Sequence, residues 1–126
     1  MVAAKVIAVV DDEEDVRVST RDLLRSCGAR VLEFEAAEAF LAAPEAVDVD
    51  GLVTDFWMPG MDGAALLDEL SRRGAAFPVV VISARDSGST EAMVMGKGAV
   101  AFLRKPVDPD ELVLVLERLG CLGGPG

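Results

Sequence analysis

The chain has 126 residues, enough for one domain with a full core and too few for two ordinary ones. A hydrophobic content of 52% and a mean hydropathy of +0.38 exclude disorder over most of its length. A formal net charge of −10 and a pI near 4.3 argue against direct binding to nucleic acid or to an anionic membrane, which both require basic patches.

The first apolar run is brief, broken by Lys5, and enters the acids Asp11–Asp15 directly, unlike a signal peptide. Within it, Val6–Val10 has the β-branched character of a strand buried on both faces. Val16, Thr20, Leu23, Leu24 and Cys27 then recur at helical spacing until Gly28. Cys27 falls on that apolar face and is expected to pack there. Arg30–Phe34 alternates as a strand does, and Ala36–Ala43 has helical propensity up to Pro44. Gly51–Thr54 predicts a third strand leading to Asp55, with a turn at Pro59-Gly60.

Ala64–Arg73 places Leu66, Leu67 and Leu70 on one face, with Gly74 as its C-cap. Pro78–Ile82 is the most apolar strand. The polar stretch Ser87–Thr90 predicts a short, loosely started fourth helix near Glu91–Gly96. Val100–Leu103 predicts the fifth strand. Asp108-Pro109 opens a last helix by joining an N-cap to a proline at the first position, and its apolar residues include Leu112, Val115, Leu116 and Leu119. Residues 1–119 form the expected domain, and the glycine-rich Gly120–Gly126 is expected to be a flexible linker stub.

Five strands alternating with five helices predict an α/β doubly wound parallel sheet of order 2-1-3-4-5, the flavodoxin-like arrangement, with right-handed crossovers. The ligand edge of such a sheet lies at the carboxyl ends of its strands, between the first and third. Asp11 and Asp12 follow the first strand, Asp55 the third, Ser83 the fourth and Lys105 the fifth. All but Asp11 have a bland alternative: Asp12 with Asp15 as a helix cap, Asp55 as a polar strand end, Ser83 as a loop hydroxyl, Lys105 as a surface lysine before Pro106. Together they have complementary chemistry. Clustered carboxylates repel and call for a hard divalent cation such as Mg2+, while a lysine opposite suits an anion. The combination points to an aspartate that accepts phosphate. Cys27 and Cys121 lack CxxC spacing and the chain has no histidine, so no zinc site is expected and reduced thiols fit a cytoplasmic protein. No run approaches the roughly 20 apolar residues of a membrane span.

The segments VVDDEEDVR, LVTDFWMPGMDG, VVVISAR and GAVAFLRKP resemble the response-regulator receiver family of two-component signalling, over essentially residues 4–119. VVDDEEDVR, EAAEAFL and GAVAFLRKP further resemble FixJ-like receivers, which usually precede a helix-turn-helix DNA-binding domain. The resemblance implies Asp55 as phosphoacceptor, with Mg2+ held by Asp11, Asp12, Asp55 and the Trp57 backbone carbonyl. It implies that Ser83 binds a phosphoryl oxygen, that Lys105 pairs with the phosphate and that Phe102 occupies the aromatic switch position. Trp57 and Arg85 would border the phosphate entrance and set the lifetime of the phosphoryl group. The implied partner is a sensor histidine kinase, with a homodimer forming through the fourth-helix and fifth-strand face on phosphorylation.

Serine at 83 keeps the usual hydroxyl without the methyl of threonine, Phe102 lacks a tyrosine hydroxyl, and Trp57 is bulky for its place. The expected function is a phosphorylation switch over a transcriptional output, with no enzyme activity beyond its own phosphorylation and slow dephosphorylation. The alternative is a stand-alone regulator that shuttles phosphate or docks to a protein. A magnesium-dependent phosphohydrolase is disfavoured, because Phe56-Trp57 puts no second acid two residues after Asp55.

Overall fold

Hydrophobic runs and helical stripes alternate along the whole chain, and the computed structural model, which describes residues 4–84 and 88–122, turns them into one wound sheet. In chain order the elements are β1 (Val6–Val10), α1 (Glu14–Ser26), β2 (Arg30–Phe34), α2 (Ala37–Ala42), a 3-10 turn (Pro44–Asp48), β3 (Gly51–Asp55) and α3 (Gly63–Arg72). They continue with β4 (Val79–Ser83), α4 (Gly88–Gly96), β5 (Ala101–Arg104) and α5 (Pro109–Arg118). All strands pair in parallel, in the order β2-β1-β3-β4-β5. The expected topology is the one observed.

Side chains of successive strand residues leave opposite faces of the sheet, so each strand feeds two cores. Ala8, Val10, Leu52, Val79 and Val81 face α2, α3 and α4, meeting Phe40, Leu66, Leu70 and Val94. Ile7, Val9, Val53, Val80 and Ile82 face α1 and α5, meeting Leu24, Leu112 and Leu116. Burial on both faces explains the near-continuous valine runs. No helix among the described residues is long and apolar enough to cross a membrane.

Several boundaries differ from the expectation. β3 and β4 each extend one residue further, so Asp55 and Ser83 are the last residues of their strands and not loop residues. α3 begins at Gly63 because the Asp62 carboxylate accepts a hydrogen bond from the Ala65 N–H at 2.9 Å. Pro44 ends α2 as expected but also starts the 3-10 turn. α4 begins at Gly88, earlier than its polar start suggested, because Thr90 lies on the same buried face as Val94.

The tail also departs from expectation. Beyond α5, Gly120 takes φ +75°, and the Cys121 N–H returns to the Leu116 carbonyl at 2.9 Å. Cys121 and Leu122 are fully buried in the α1/α5 core, so the chain does not leave the domain at Gly120. A Cβ on Gly51 would come within 2.7 Å of the Cys121 sulfur, which explains a glycine at the start of a buried strand. The rest of the expected linker lies outside the described residues.

Candidate functional site

The carboxyl ends of β1 and β3 are neighbours in the sheet, at the point where the chain switches from one direction of winding to the other. Asp11 follows β1 and Asp55 ends β3, and each is 4% exposed. Asp12, next along the chain, is exposed above them. One carboxylate oxygen from each of these three residues lies within 4.8 Å of the other two. From the far side, across β4, the Lys105 ammonium enters the same space after β5. Its Nζ stands 3.2 Å from Asp11 Oδ2, 3.3 Å from Asp55 Oδ2 and 3.1 Å from Glu13 Oε1. Lys105 also donates its backbone N–H to the Ser83 carbonyl at 2.8 Å, so β4 and β5 register the lysine against the site. The Lys105-Pro106 peptide is cis.

The electrostatics follow from crowding anions in a poorly hydrated place. Burial pushes the Asp55 carboxyl up from 3.8 to about 6, and the nearby Asp11 charge adds to the rise while Lys105 opposes it. Burial likewise raises Asp11, against hydrogen bonding from the Glu13 N–H and the pull of Lys105. For Lys105, burial works against the charge, but Asp11 and Asp55 outweigh it and hold the ammonium more firmly protonated. Hard oxygen donors whose mutual repulsion Lys105 only partly relieves fit a divalent cation of the Mg2+ type. Both cysteines lie in or beside the α1/α5 core, which leaves this cluster without a soft ligand.

Asp11, Asp12, Asp55 and Lys105 converge. The bland alternative for Asp12 is not what forms, since Glu13 is the N-cap residue of α1 and no side chain caps it. Ser83 is fully buried at the end of β4, beside β3. Trp57 lies on the loop after β3, 42% exposed, with its ring edge-on to Phe56 at a centroid distance of 4.8 Å. Phe102 sits in β5, half-buried, and lines a cavity of about 450 Å³ with Glu91, Arg104, Pro106, Asp108 and Glu111. Arg85 lies outside the described residues.

Three residues escaped the sequence reading. Glu13 is the third partner of Lys105. Glu38, from α2, accepts from the Met61 N–H at 3.3 Å and so ties down the loop after β3. Arg17 is buried, and its Nη1 donates to the Asp11 carbonyl at 2.8 Å. Its signal was available: Arg17 precedes Thr20 by three residues and Leu24 by seven, which puts a charge on the buried stripe of α1.

Comparison with known proteins agrees with this geometry. Residues 7–117 match the family described as response regulator receiver domain, and the chain belongs to that family. It is 38% identical to the transcriptional regulatory protein FixJ of Azorhizobium caulinodans over 85% of this chain and 51% of that protein. It is 34% identical to the DNA-binding transcriptional regulator NtrC of Salmonella typhimurium over 90% of this chain and 24% of that protein. The chain thus spans about half the length of the FixJ relative and about a quarter of the NtrC relative. The crystal structure of FixJ-N superposes with a TM-score of 0.84 at 35% identity, covering 98% of this chain and all of that one. The protein is a FixJ-like receiver domain of the kind found in two-component response regulators.

Proposed function

We propose that this receiver domain accepts a phosphoryl group on Asp55 from a phosphohistidine of a sensor histidine kinase, and that the modification switches a transcriptional output carried elsewhere in the response. The observation that carries this reading is the convergence of Asp55, two further aspartates and Lys105 at the switch point of the sheet. An Asp55 carboxylate oxygen attacks phosphorus as the bond to the imidazole nitrogen breaks. The product is an acyl phosphate, and the departing imidazole takes a proton from solvent. Lys105, already 3.3 Å from Asp55 Oδ2, pairs with the anionic oxygens of the incoming group. Asp11, Asp12, Asp55 and the Trp57 carbonyl would hold Mg2+, which when bound neutralises charge on the transferring group.

The buried Ser83 hydroxyl is assigned to a phosphoryl oxygen once the group is attached. Phe102 would follow it inward, shifting an existing equilibrium between two states of the face formed by α4, β5 and α5. Apart from accepting this group and slowly losing it to water, the domain has no assigned catalysis. The names of FixJ and NtrC support a transcriptional output. A kinase would approach over a cavity of about 490 Å³ beside Lys105, lined by Val16, Ser19, Thr20 and Pro106. Incubation with acetyl phosphate and Mg2+ should add one hydroxylamine-labile phosphate to the protein and none to Asp55→Asn. Undiminished labelling of that variant would remove Asp55 from its role.

A further inference from the structure

We infer that Arg17 is a positioning residue for the metal site, acting through the peptide that joins Asp11 to Asp12. The inference rests on the metal reading above and concerns a side chain that touches neither the proposed ion nor the phosphoryl group.

The Asp11 carbonyl belongs to the peptide unit between the two acids, so its direction sets how both carboxylates are presented. Arg17 Nη1 donates to that carbonyl at 2.8 Å, in a buried hydrogen bond. The preceding peptide is held from the other side, where the Asp11 N–H donates to the Phe34 carbonyl at 3.1 Å. Arg17 is itself anchored. Its Nε lies 3.5 Å from Glu33 Oε1 on β2, and its Nη2 lies 3.9 Å from Glu35 Oε1. Arg21, one helical turn on, takes the other oxygen of Glu33 at 3.1 Å. A rigid guanidinium fork thus links β2 to the turn after β1 from a helix that crosses both.

Stability alone does not call for this arrangement. Arg17 is only 7% exposed, and placing a guanidinium there costs desolvation that a well-packed apolar side chain would avoid. A methionine on the same stripe of α1 would fill the space without that desolvation, but it would leave the Asp11 carbonyl without its buried donor. What only the arginine provides is a donor aimed at the Asp11 carbonyl together with a fixed anchor. Partners of this outer kind commonly change metal affinity by about 10–100-fold when removed.

The test compares Mg2+ affinity, measured by calorimetry and by the fluorescence of the single tryptophan, with stability measured by urea unfolding. Arg17→Met should weaken Mg2+ binding about tenfold, beside the drop in urea midpoint that one lost buried hydrogen bond gives. Arg21→Met, which shares Glu33 but makes no contact with Asp11, should bind within about twofold of the parent. Glu33→Gln, which keeps the size of the anchor and drops its charge, should fall between, and it decides the question if Arg17→Met does not fold. Parent-like affinity in Arg17→Met or Glu33→Gln would overturn the inference. So would an equal loss in Arg21→Met, or a fall in stability with no fall in affinity. A parent protein that fails to bind Mg2+ would overturn the metal reading and this inference with it, whereas a binding parent with an unaffected Arg17→Met overturns the inference alone.

Discussion

Replacing Asp55 with asparagine should make the metal-free protein more stable, although it destroys the proposed site. The Asp55 carboxyl is buried beside Asp11, and its folded-state value rises from 3.8 to about 6. The sign follows from linkage. A raised carboxyl favours the fold below 3.8, and that contribution is lost as the pH rises through about 6. At about 1.4 kcal/mol for each pH unit, the ionised carboxylate costs the fold about 3 kcal/mol above that range. Asparagine keeps the size and an acceptor for Lys105 but carries no charge, so about 1–3 kcal/mol should be recovered at pH 8. In a domain of this size that corresponds to a rise in Tm of about 4–10 °C. Thermal unfolding in EDTA from pH 4 to pH 8 should give parent and Asp55→Asn curves that nearly coincide at pH 4 and separate through pH 6. Saturating Mg2+ should close the gap by stabilising the parent alone. An Asp55→Asn protein no more stable than the parent at pH 8 would refute the claim that burial and repulsion strain this carboxylate.

Beryllofluoride, a stand-in for the phosphoryl group, should promote self-association through the α4–β5 face, where Met93, Met95 and Val100 are exposed. Met93→Lys should abolish that association in light scattering, and a treated parent that stays monomeric would count against the dimer. Trp57 stands edge-on to Phe56 two residues past Asp55, where its ring would obstruct water attacking a phosphoryl group. Trp57→Asn should lose its phosphate severalfold faster while accepting it normally, and Arg85→Ala should shift the same decay. Equal decay in all three proteins would show that this entrance does not set lifetime.

The topology was legible because a parallel sheet covered on both faces writes itself as β-branched runs, and because Asp11, Asp55, Ser83 and Lys105 each stand where such a run ends. Asp108-Pro109 was equally plain: the Asp108 carboxylate accepts from the Asp110 N–H at 2.9 Å, a local event needing no tertiary knowledge. What stayed hidden depends on distant partners. Glu13 looks like one more acid at a helix start until Lys105 arrives from 92 residues away. Cys121 and Leu122 follow a glycine in a glycine-rich tail, and only the turn after α5, returning them to Gly51, reveals them as core. Composition overruled position there. The polar start of α4 misled for a similar reason, since the buried placement of Thr90 is set by packing and not by propensity.

The chain sets its own stability against its site. Asp11, Glu13 and Asp55 crowd around a single ammonium, Lys105, with Asp12 beside two of them. A domain selected only to fold would not bury two of those acids. The same imbalance makes the place attractive to a divalent cation, whose charge would let a phosphoryl group, itself anionic, come close to Asp55. Lys105 is shared among three carboxylates at nearly equal distances, so none of them holds it exclusively. It can therefore turn from Glu13 and Asp11 toward a phosphoryl group on Asp55 by exchanging one anionic partner for another, without becoming unpaired. Such an exchange moves a side chain tied through its backbone to the Ser83 carbonyl and followed directly by Pro106 in the cavity that Phe102 lines. Under the proposed function, a change of charge at the end of β3 would reach the α4–β5–α5 face through the Asp55–Lys105 ion pair and the Lys105-Pro106 peptide, which is the physical content of calling this domain a switch.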